Sequence, residues 1–274
     1  MLYKATYICA GLGTAGLGIG LRLFDSLHWL WQIPLLFAGL WLSLVILALL
    51  FLLLWCAPIS LEKPVEEDSP ADRRLLCLYS DFALSLLRVK RHITGMEKLP
   101  QHGRFLLVCN HLSILDPVLL LGCMKTSQLA FISKQENNRL PVVNKLMHKT
   151  LCQLINRDND RDALLTILKC VDILKQDKAN IAVFPEGYTS RDGHLQPFRN
   201  GVFKIAQRAK VPIVVCALRG TPAVFHNFLR LRRSHVYLDL LAVIPAEELK
   251  GQTKEVGDRV HAIMAADLDP QDQR

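Results

Sequence analysis

The sequence lacks the patterns that mark several common protein classes. None of its eight cysteines stands in a Cys-x-x-Cys pair, which argues against a zinc ribbon or a thioredoxin-type redox site. Most of the cysteines fall inside apolar runs, as reduced thiols do, so we expect no disulfide framework. The nine histidines include no His-x-x-x-His pair, which argues against a metal hydrolase. With 15 glycines and 13 prolines, the chain has too little of either for a collagen-like or low-complexity protein.

Charge is nearly absent from the N-terminal part of the chain. Lys4, Arg22 and Asp25 carry the only formal charges in the first 56 residues. A helix that crosses a bilayer needs about 20 apolar residues. The run from Trp29 to Trp55 carries no formal charge and is longer than this. It therefore predicts a spanning helix from Ile33 to Trp55. Pro34 would lie in the first turn, where its missing N–H costs nothing.

A glycine-rich uncharged stretch precedes this predicted span. Gly16 and Gly20 have the small-xxx-small spacing that lets two helices approach closely in lipid. We therefore expect residues 1–56 to anchor the chain in a membrane, either as a helical hairpin or as one span preceded by a membrane-embedded or flexible N-terminus. Basic residues from Arg73 to Arg91 follow the span. By the positive-inside rule, they predict that the large C-terminal part of the chain lies on the cytoplasmic side of the cell membrane.

The composition changes after the predicted anchor. Residues 57–70 are rich in proline and acidic residues and are typical of a linker, and we expect one domain over residues 71–274. Short apolar runs alternate there with stretches of helical spacing, which predicts an α/β domain with a layered mixed sheet flanked by helices. The predicted strands cover 105–110, 129–133, 151–156, 181–184, 211–218 and 236–244, and the predicted helices start at 71, 117, 160 and 201.

The net charge of +8 favours an anionic partner, either a membrane lipid, a phosphorylated ligand or a nucleic acid. The chain carries no recognisable nucleic-acid-binding motif, so we expect no nucleic acid among its partners.

The segment Asn110–Pro117 combines a histidine and an aspartate between an apolar strand and an apolar helix. Because Pro117 disfavours helical geometry at the preceding residue, we expect the helix to begin at Pro117 with Asp116 as its cap. A turn after the strand would bring His111 and Asp116 together. The carboxylate would then fix the imidazole tautomer and leave the other ring nitrogen as a general base.

A second polar cluster, Phe184–Ser190, also follows an apolar strand. Gly187 lets the backbone approach a ligand closely, and exposed N–H groups in such a turn can hold a phosphate or an oxyanion. Arg199 lies in the basic segment that follows.

Together these motifs resemble the glycerolipid acyltransferase family typified by 1-acylglycerol-3-phosphate acyltransferases. The resemblance covers roughly residues 75 to 245, and its blocks stand in the family's order. They are His-x-x-x-x-Asp at 111–116, Lys134 in FISKQE, Ile-Asn-Arg at 155–157, Phe-Pro-Glu-Gly at 184–187, PFRNGVF at 197–203 and Val-Pro-Ile-Val at 211–214.

This resemblance implies a membrane enzyme that acylates the free hydroxyl of a lysophospholipid, with acyl-CoA or acyl-carrier protein as co-substrate and with no metal or other cofactor. It implies that His111 is the catalytic base and that Asp116 orients it. The residues it implies for binding the acceptor phosphate and substrate are Lys134, Arg157, Glu186, Gly187 and Arg199.

The sequence departs from the family pattern in two of these blocks. Tyr188 and Thr189 stand where the family often has Thr-Arg, and Leu151 stands where a glycine usually leads the third block. The leading hypothesis is the synthesis of phosphatidic acid from 1-acylglycerol 3-phosphate. Alternatives are an acyltransferase or transacylase for another lysophospholipid and a non-catalytic membrane scaffold, although the intact His111 and Asp116 argue against the scaffold.

Overall fold

The computed structural model describes residues 1–25, 27–156, 159–190 and 193–268. The chain divides into two compact units, Met1–Ser60 and Leu61–Arg274.

The N-terminal unit is a hairpin of two helices, α1 (Leu2–Gly20) and α2 (Trp29–Cys56). The Tyr7 ring on α1 packs edge-on against Phe37 on α2, with ring centroids 5.0 Å apart. The buried stripe of α1 recurs every four residues, which is the spacing of one helix face. It consists of Thr6, Ala10, Thr14 and Gly18.

Small residues do allow a close approach of α1 to α2, but not at the predicted positions. A Cβ atom added at Gly16 or at Gly20 would have no neighbouring atom within 4 Å, so the predicted packing role of these glycines is wrong. Gly18 is the glycine in contact, since a Cβ there would lie 2.9 Å from Cδ1 of Ile33. The face of α1 that packs on α2 is the buried stripe that ends at Gly18, and Gly16 and Gly20 lie on a different face of the helix.

Helix α2 is the one helix in the described ranges that is long and apolar enough to cross a bilayer. It starts at Trp29, four residues before the predicted start, so Pro34 lies inside the helix and not in its first turn. One proline removes a single backbone hydrogen bond, and the helix continues through it. Most of the large apolar side chains of α2 are exposed, including Leu35 and Leu54.

The C-terminal unit is built on a seven-stranded mixed sheet, in the order β1-β7-β6-β2-β5-β3-β4. Strands β6, β2, β5, β3 and β4 are parallel neighbours, and β7 runs antiparallel to β6 and parallel to β1. The strands are β1 (Val89–Thr94), β2 (Leu106–Cys109), β3 (Leu129–Lys134), β4 (Gln153–Ile155), β5 (Asn180–Val183), β6 (Ile213–Arg219) and β7 (Ser234–Ile244).

Helices cover both faces of this sheet. One apolar core lies between the sheet and α6, α7 and α9, and a second lies between the sheet and α3, α4 and α8. The layered α/β architecture is therefore as predicted. The helices are α3 (Pro70–Leu86), α4 (Asp116–Cys123), α5 (Val143–Lys149), α6 (Asp160–Lys175), α7 (Lys204–Ala209), α8 (Val224–Leu229) and α9 (Thr253–Leu268).

A buried arginine joins the start of α3 to the segment before it. Arg73 Nε lies 2.7 Å from Oδ2 of Asp68, and its other nitrogens donate to the carbonyl oxygens of Leu129 and Thr150 at 2.7 and 2.9 Å. The end of the predicted linker is thus packed into the C-terminal unit. Because Arg73 is buried and paired, it is not one of the free surface charges on which the positive-inside rule depends.

Candidate active site

Three neighbouring strands bring the candidate catalytic residues to one edge of the sheet. His111 follows β2, Glu186 follows β5, and Thr221 follows β6. These strands are parallel and adjacent in the order β6-β2-β5. Because the carboxyl ends of parallel strands lie at the same edge, residues far apart in the sequence meet there.

The side chain of Asn110 replaces the two backbone hydrogen bonds to β6 that the chain gives up where it leaves β2. Its Nδ2 donates to the carbonyl oxygen of Leu218 at 3.0 Å, and its Oδ1 accepts from the Leu218 N–H at 2.7 Å. A side-chain amide here takes the place of a backbone peptide bonded to β6. The backbone is therefore free to turn at His111. The sequence motif contains Asn110, but its spacing gives no sign of this role.

The imidazole of His111 is held by two contacts. Its Nδ1 lies 2.8 Å from Oδ2 of Asp116, and its ring stacks on Phe184 with centroids 4.3 Å apart. The side chain of His111 is 17% exposed, whereas that of Asp116 is fully buried. An Nδ1–H that donates to the carboxylate leaves the lone pair on Nε2, which is the nitrogen a general base needs.

Asp116 is satisfied by three further donors. The N–H groups of Leu112 and Ser113 donate to Oδ2 at 2.6 and 2.7 Å. The hydroxyl of Thr221 donates to Oδ1 at 2.6 Å. A buried carboxylate is costly unless it is hydrogen-bonded, and these donors together with the imidazole meet that requirement. Thr221 has no part in the sequence motifs, and it reaches Asp116 only through the fold.

The expectation that Asp116 caps α4 is wrong. Helix α4 begins at Asp116 itself, not at Pro117, and no side chain caps it. The carboxylate turns back toward the preceding loop, because the two loop N–H groups and the imidazole lie there as donors.

The second ring nitrogen of His111 faces a hydroxyl. Thr189 Oγ1 lies 3.2 Å from Nε2. A hydroxyl at that distance marks the place where a substrate hydroxyl would give up its proton. Thr189 also belongs to one of the two blocks in which the sequence departs from the family pattern.

Glu186 holds the backbone of this site. Its Oε1 accepts from the His111 N–H at 2.6 Å, and its Oε2 accepts from the Gln196 N–H at 3.1 Å. Burial raises the pKa of Glu186 to about 6. Backbone N–H groups thus donate to both carboxylate oxygens. Glu186 positions the His111 backbone, and it is not among the described residues that line the pocket described next.

Gly187 has a left-handed backbone, with φ of +83°, and the side chain of Arg199 lies directly on it. A Cβ at Gly187 would lie 2.9 Å from Nε of Arg199. The Arg199 N–H also donates to the carbonyl oxygen of Pro185 at 2.8 Å. The turn after β5 therefore positions both the backbone and the side chain of Arg199.

A basic pocket of about 520 Å³ opens at the same edge of the sheet. Its lining carries three cationic side chains and one carboxylate, together with uncharged residues; the lining residues are Lys134, Gln135, Glu136, Asn138, Arg139, Ile155, Asn156 and Arg199. The structure therefore brings together two of the predicted phosphate-binding residues, Lys134 and Arg199. Arg157 lies outside the described residues.

The acyltransferase family model matches residues 90–219 of the chain. A chloroplastic 1-acyl-sn-glycerol-3-phosphate acyltransferase from Brassica napus is 35% identical over 133 residues, which are 48% of this chain and 38% of that protein. A 1-acyl-sn-glycerol-3-phosphate acyltransferase from Cocos nucifera is 27% identical over 62% of this chain and 56% of that protein. The chain thus spans between two fifths and three fifths of the length of these two relatives.

Two bacterial proteins are matched over more of their length. The crystal structure of the 1-acyl-sn-glycerophosphate (LPA) acyltransferase PlsC from Thermotoga maritima superposes with a TM-score of 0.61 at 23% identity. The match covers 74% of this chain and 80% of that one, and it supports the fold. A probable 1-acyl-sn-glycerol-3-phosphate acyltransferase from Mycoplasma pneumoniae is 30% identical over 207 residues, which are 72% of this chain and 77% of that protein. With this relative, the family match and the shared fold, the chain belongs to the acyltransferase family.

Proposed function

We propose that the chain transfers a fatty acyl group from acyl-CoA or acyl-carrier protein to the free hydroxyl of 1-acylglycerol 3-phosphate, giving phosphatidic acid. The observation that carries this proposal is the His111–Asp116 pair, joined through Glu186 and Gly187 to a pocket lined by Lys134 and Arg199. The names of the relatives point to the same acceptor.

The geometry supports catalysis by a general base. Nε2 of His111 takes the proton of the acceptor hydroxyl as the oxygen attacks the thioester carbonyl carbon. The carbon–sulfur bond then breaks, and the leaving thiolate takes the proton from His111. The products are an ester and a free thiol. The Asp116 carboxylate stabilises the imidazolium between these steps. A positioned general base such as His111 contributes about 10²–10⁴-fold.

Lys134 and Arg199 would hold the acceptor phosphate in the basic pocket. A charge-assisted hydrogen bond contributes about 1.5–3 kcal/mol. The loss of one such bond should weaken use of the acceptor by about 10- to 150-fold, at tenfold per 1.4 kcal/mol. Arg157 is a further candidate for this role, on its match to the family block.

Purified protein tests the proposal directly. Lysophosphatidic acid is compared with lysophosphatidylcholine and lysophosphatidylethanolamine as acceptor. Acyl-CoA, acyl-carrier protein and intact phospholipid are compared as donor, the last to detect transacylation. A clear preference for lysophosphatidic acid with a thioester donor supports the proposal, and transfer to every acceptor except lysophosphatidic acid would refute it.

Variants of the pocket test the phosphate contact. Lys134→Ala, Arg157→Ala and Arg199→Ala are titrated with acceptor and separately with donor. Lys175→Ala, at the exposed end of α6, is the matched control. We expect the acceptor KM to rise in the pocket variants and the donor KM to stay unchanged. If no pocket variant shows a selective loss, the pocket does not bind the phosphate.

We also propose that residues 1–56 anchor the enzyme in the cell membrane with the catalytic domain on the cytoplasmic side. The length of α2 and its exposed apolar side chains support the anchor. Protease treatment of sealed inside-out and right-side-out vesicles measures the orientation. Cleavage of the C-terminal domain in right-side-out vesicles alone would overturn it.

A further inference from the structure

A small surface around α8 exposes large apolar side chains beside arginines. Leu229 is 81% exposed and Leu231 is 75% exposed, although leucine is most often buried. This surface, called here the α8 surface, runs from Val224 to Arg233. Its exposed members are Phe225, His226, Leu229, Arg230, Leu231, Arg232 and Arg233.

The α8 surface lies next to the catalytic edge. A short turn, Thr221–Ala223, leads directly into α8, and Thr221 is the residue that donates to Asp116. The loop between His111 and Asp116 also exposes a large apolar side chain, Ile114, which is 74% accessible.

The backbone at Leu231 is unusual for the residue it carries. Its φ is +56°, a left-handed conformation that leucine adopts at a cost. Arg88 Nη1 holds the turn by donating to the Leu231 carbonyl oxygen at 2.5 Å. A glycine would relieve the backbone, and the exposed leucine gains no packing within the chain. The Leu231 side chain is therefore available for a contact outside the chain.

All formal charges on the α8 surface and in the sequence around it are positive. No aspartate or glutamate occurs between Asp192 and Asp239. Within the described ranges, Arg230, Arg232 and Arg233 take part in no ion pair. Leucines that enter the acyl boundary, with arginines at the phosphate level, are the pattern of an interfacial membrane contact. One six-residue helix and its turn offer far less than the ~800 Å² per partner of a stable protein interface.

We propose that the α8 surface docks on an anionic phospholipid bilayer and so holds the catalytic edge at the lipid–water interface. The docking adds to the anchor formed by residues 1–56. It does not depend on the acyl transfer proposed above, because its test reads lipid contact and not turnover.

The full chain is reconstituted in vesicles of phosphatidylcholine, with or without phosphatidylglycerol. Leu229 is replaced by the photo-crosslinker p-benzoylphenylalanine. The control places the same crosslinker at Leu165, an exposed leucine of α6 on the opposite face of the sheet. The yield of lipid adduct is measured by mass spectrometry.

We expect several-fold more lipid adduct at position 229 than at position 165, and more with phosphatidylglycerol than without it. Near an anionic surface each arginine contributes about fivefold in affinity. The triple variant Arg230→Gln, Arg232→Gln, Arg233→Gln should therefore lower the adduct yield at position 229 at least fivefold in the anionic vesicles. Leu231→Gly should keep or raise Tm while it lowers the same yield.

Equal yields at positions 229 and 165 would overturn the proposal. So would crosslinks at position 229 to a second copy of the chain in place of lipid, or an adduct yield that the three arginine substitutions leave unchanged. Circular dichroism confirms that the variants are folded, which is expected because every changed side chain is exposed.

Discussion

The hydroxyl of Thr221 donates a hydrogen bond of 2.6 Å to Oδ1 of Asp116 across 105 positions of sequence. Oδ2 of the same carboxylate receives the imidazole and two loop N–H groups, so Thr221 is the one described donor to the remaining oxygen. The bond ties the end of β6 to the start of α4. Together with the bond from the His111 N–H to Glu186, it makes the orientation of the His111–Asp116 pair depend on the ends of β2, β5 and β6 rather than on one loop.

Thr221→Val should therefore lower both stability and turnover. The loss of a hydrogen bond to a buried charged group lowers the free energy of unfolding by about 1.5–3 kcal/mol. A small displacement of the carboxylate should lower kcat ten- to hundredfold, with little change in donor KM. Thr221→Ser keeps the hydroxyl and should restore kcat. A Thr221→Val enzyme with unchanged kcat would show that the bond does not position the pair.

His111→Ala should abolish acyl transfer in a protein that still folds. A general base contributes about 10²–10⁴-fold, so residual activity above about a tenth would refute that role. Folding should survive because the contact of His111 with Glu186 is made by its backbone N–H, which alanine retains. Activity of the purified variant in lipid vesicles is compared with its thermal unfolding midpoint.

Asp116→Asn should lose at least a hundredfold in kcat and also some stability. An asparagine cap would have preserved stability, but the structure shows no capping bond at this position. Three donors converge on Oδ2, and a neutral amide oxygen accepts them more weakly than a carboxylate does. Urea unfolding of the wild type and the variant measures the loss. Equal free energies of unfolding would contradict the importance of these bonds.

Glu186 should give the fold a specific pH dependence. Burial raises its pKa from 4.5 to about 6, so the folded state binds the proton more tightly than the unfolded state. This stabilisation is fully present below pH 4.5 and is lost as the pH rises through 6. At 1.36 kcal/mol per unit of pKa it amounts to about 2 kcal/mol.

Glu186→Gln lacks this titration. We subtract the free energy of unfolding of the variant from that of the wild type. This value should fall by about 2 kcal/mol as the pH rises from 4 to 7. Denaturant unfolding of both proteins over this range measures it. A difference that does not change with pH would show that Glu186 titrates normally.

Gly187→Ala should raise the acceptor KM. Alanine at a φ of +83° is strained, and its Cβ would meet the Arg199 side chain at 2.9 Å. The arginine must move, and if it binds the phosphate, use of the acceptor weakens while use of the donor does not. Gly193→Ala is the control, since Gly193 also has a positive φ, but a Cβ added there would meet no atom within 4 Å. An equal effect of the two substitutions would attribute the loss to backbone strain alone.

The sequence predicts the layered α/β fold because the central strands are continuous apolar runs that can only be buried. Strand β1, Val89–Thr94, is not predicted, because it is not a continuous apolar run. It lies at the edge of the sheet, half exposed, and three of its six residues are Lys90, Arg91 and His92. Its pairing with β7 is a tertiary event that no local periodicity reports.

The candidate site divides in the same way. His111, Asp116 and Glu186 lie in short motifs, so a family resemblance finds them. Thr221 acts from a different segment, and only the parallel arrangement of β2 and β6 brings it near. The one available signal is its place directly after an apolar strand, in the turn that follows Gly220, where polar residues of α/β folds commonly reach a site.

The two hydrogen bonds between the Asn110 side chain and the Leu218 backbone bear on how mutational scans of this protein are interpreted. Asn110 offers Leu218 one donor and one acceptor, as a peptide group does. Aspartate lacks the donor, and glutamine is longer by one methylene group. Almost every replacement at this position should therefore score as inactive in a growth-based scan. Intolerance to substitution at Asn110 would then record the geometry of a chain turn, in a residue to which this mechanism gives no part in the chemistry.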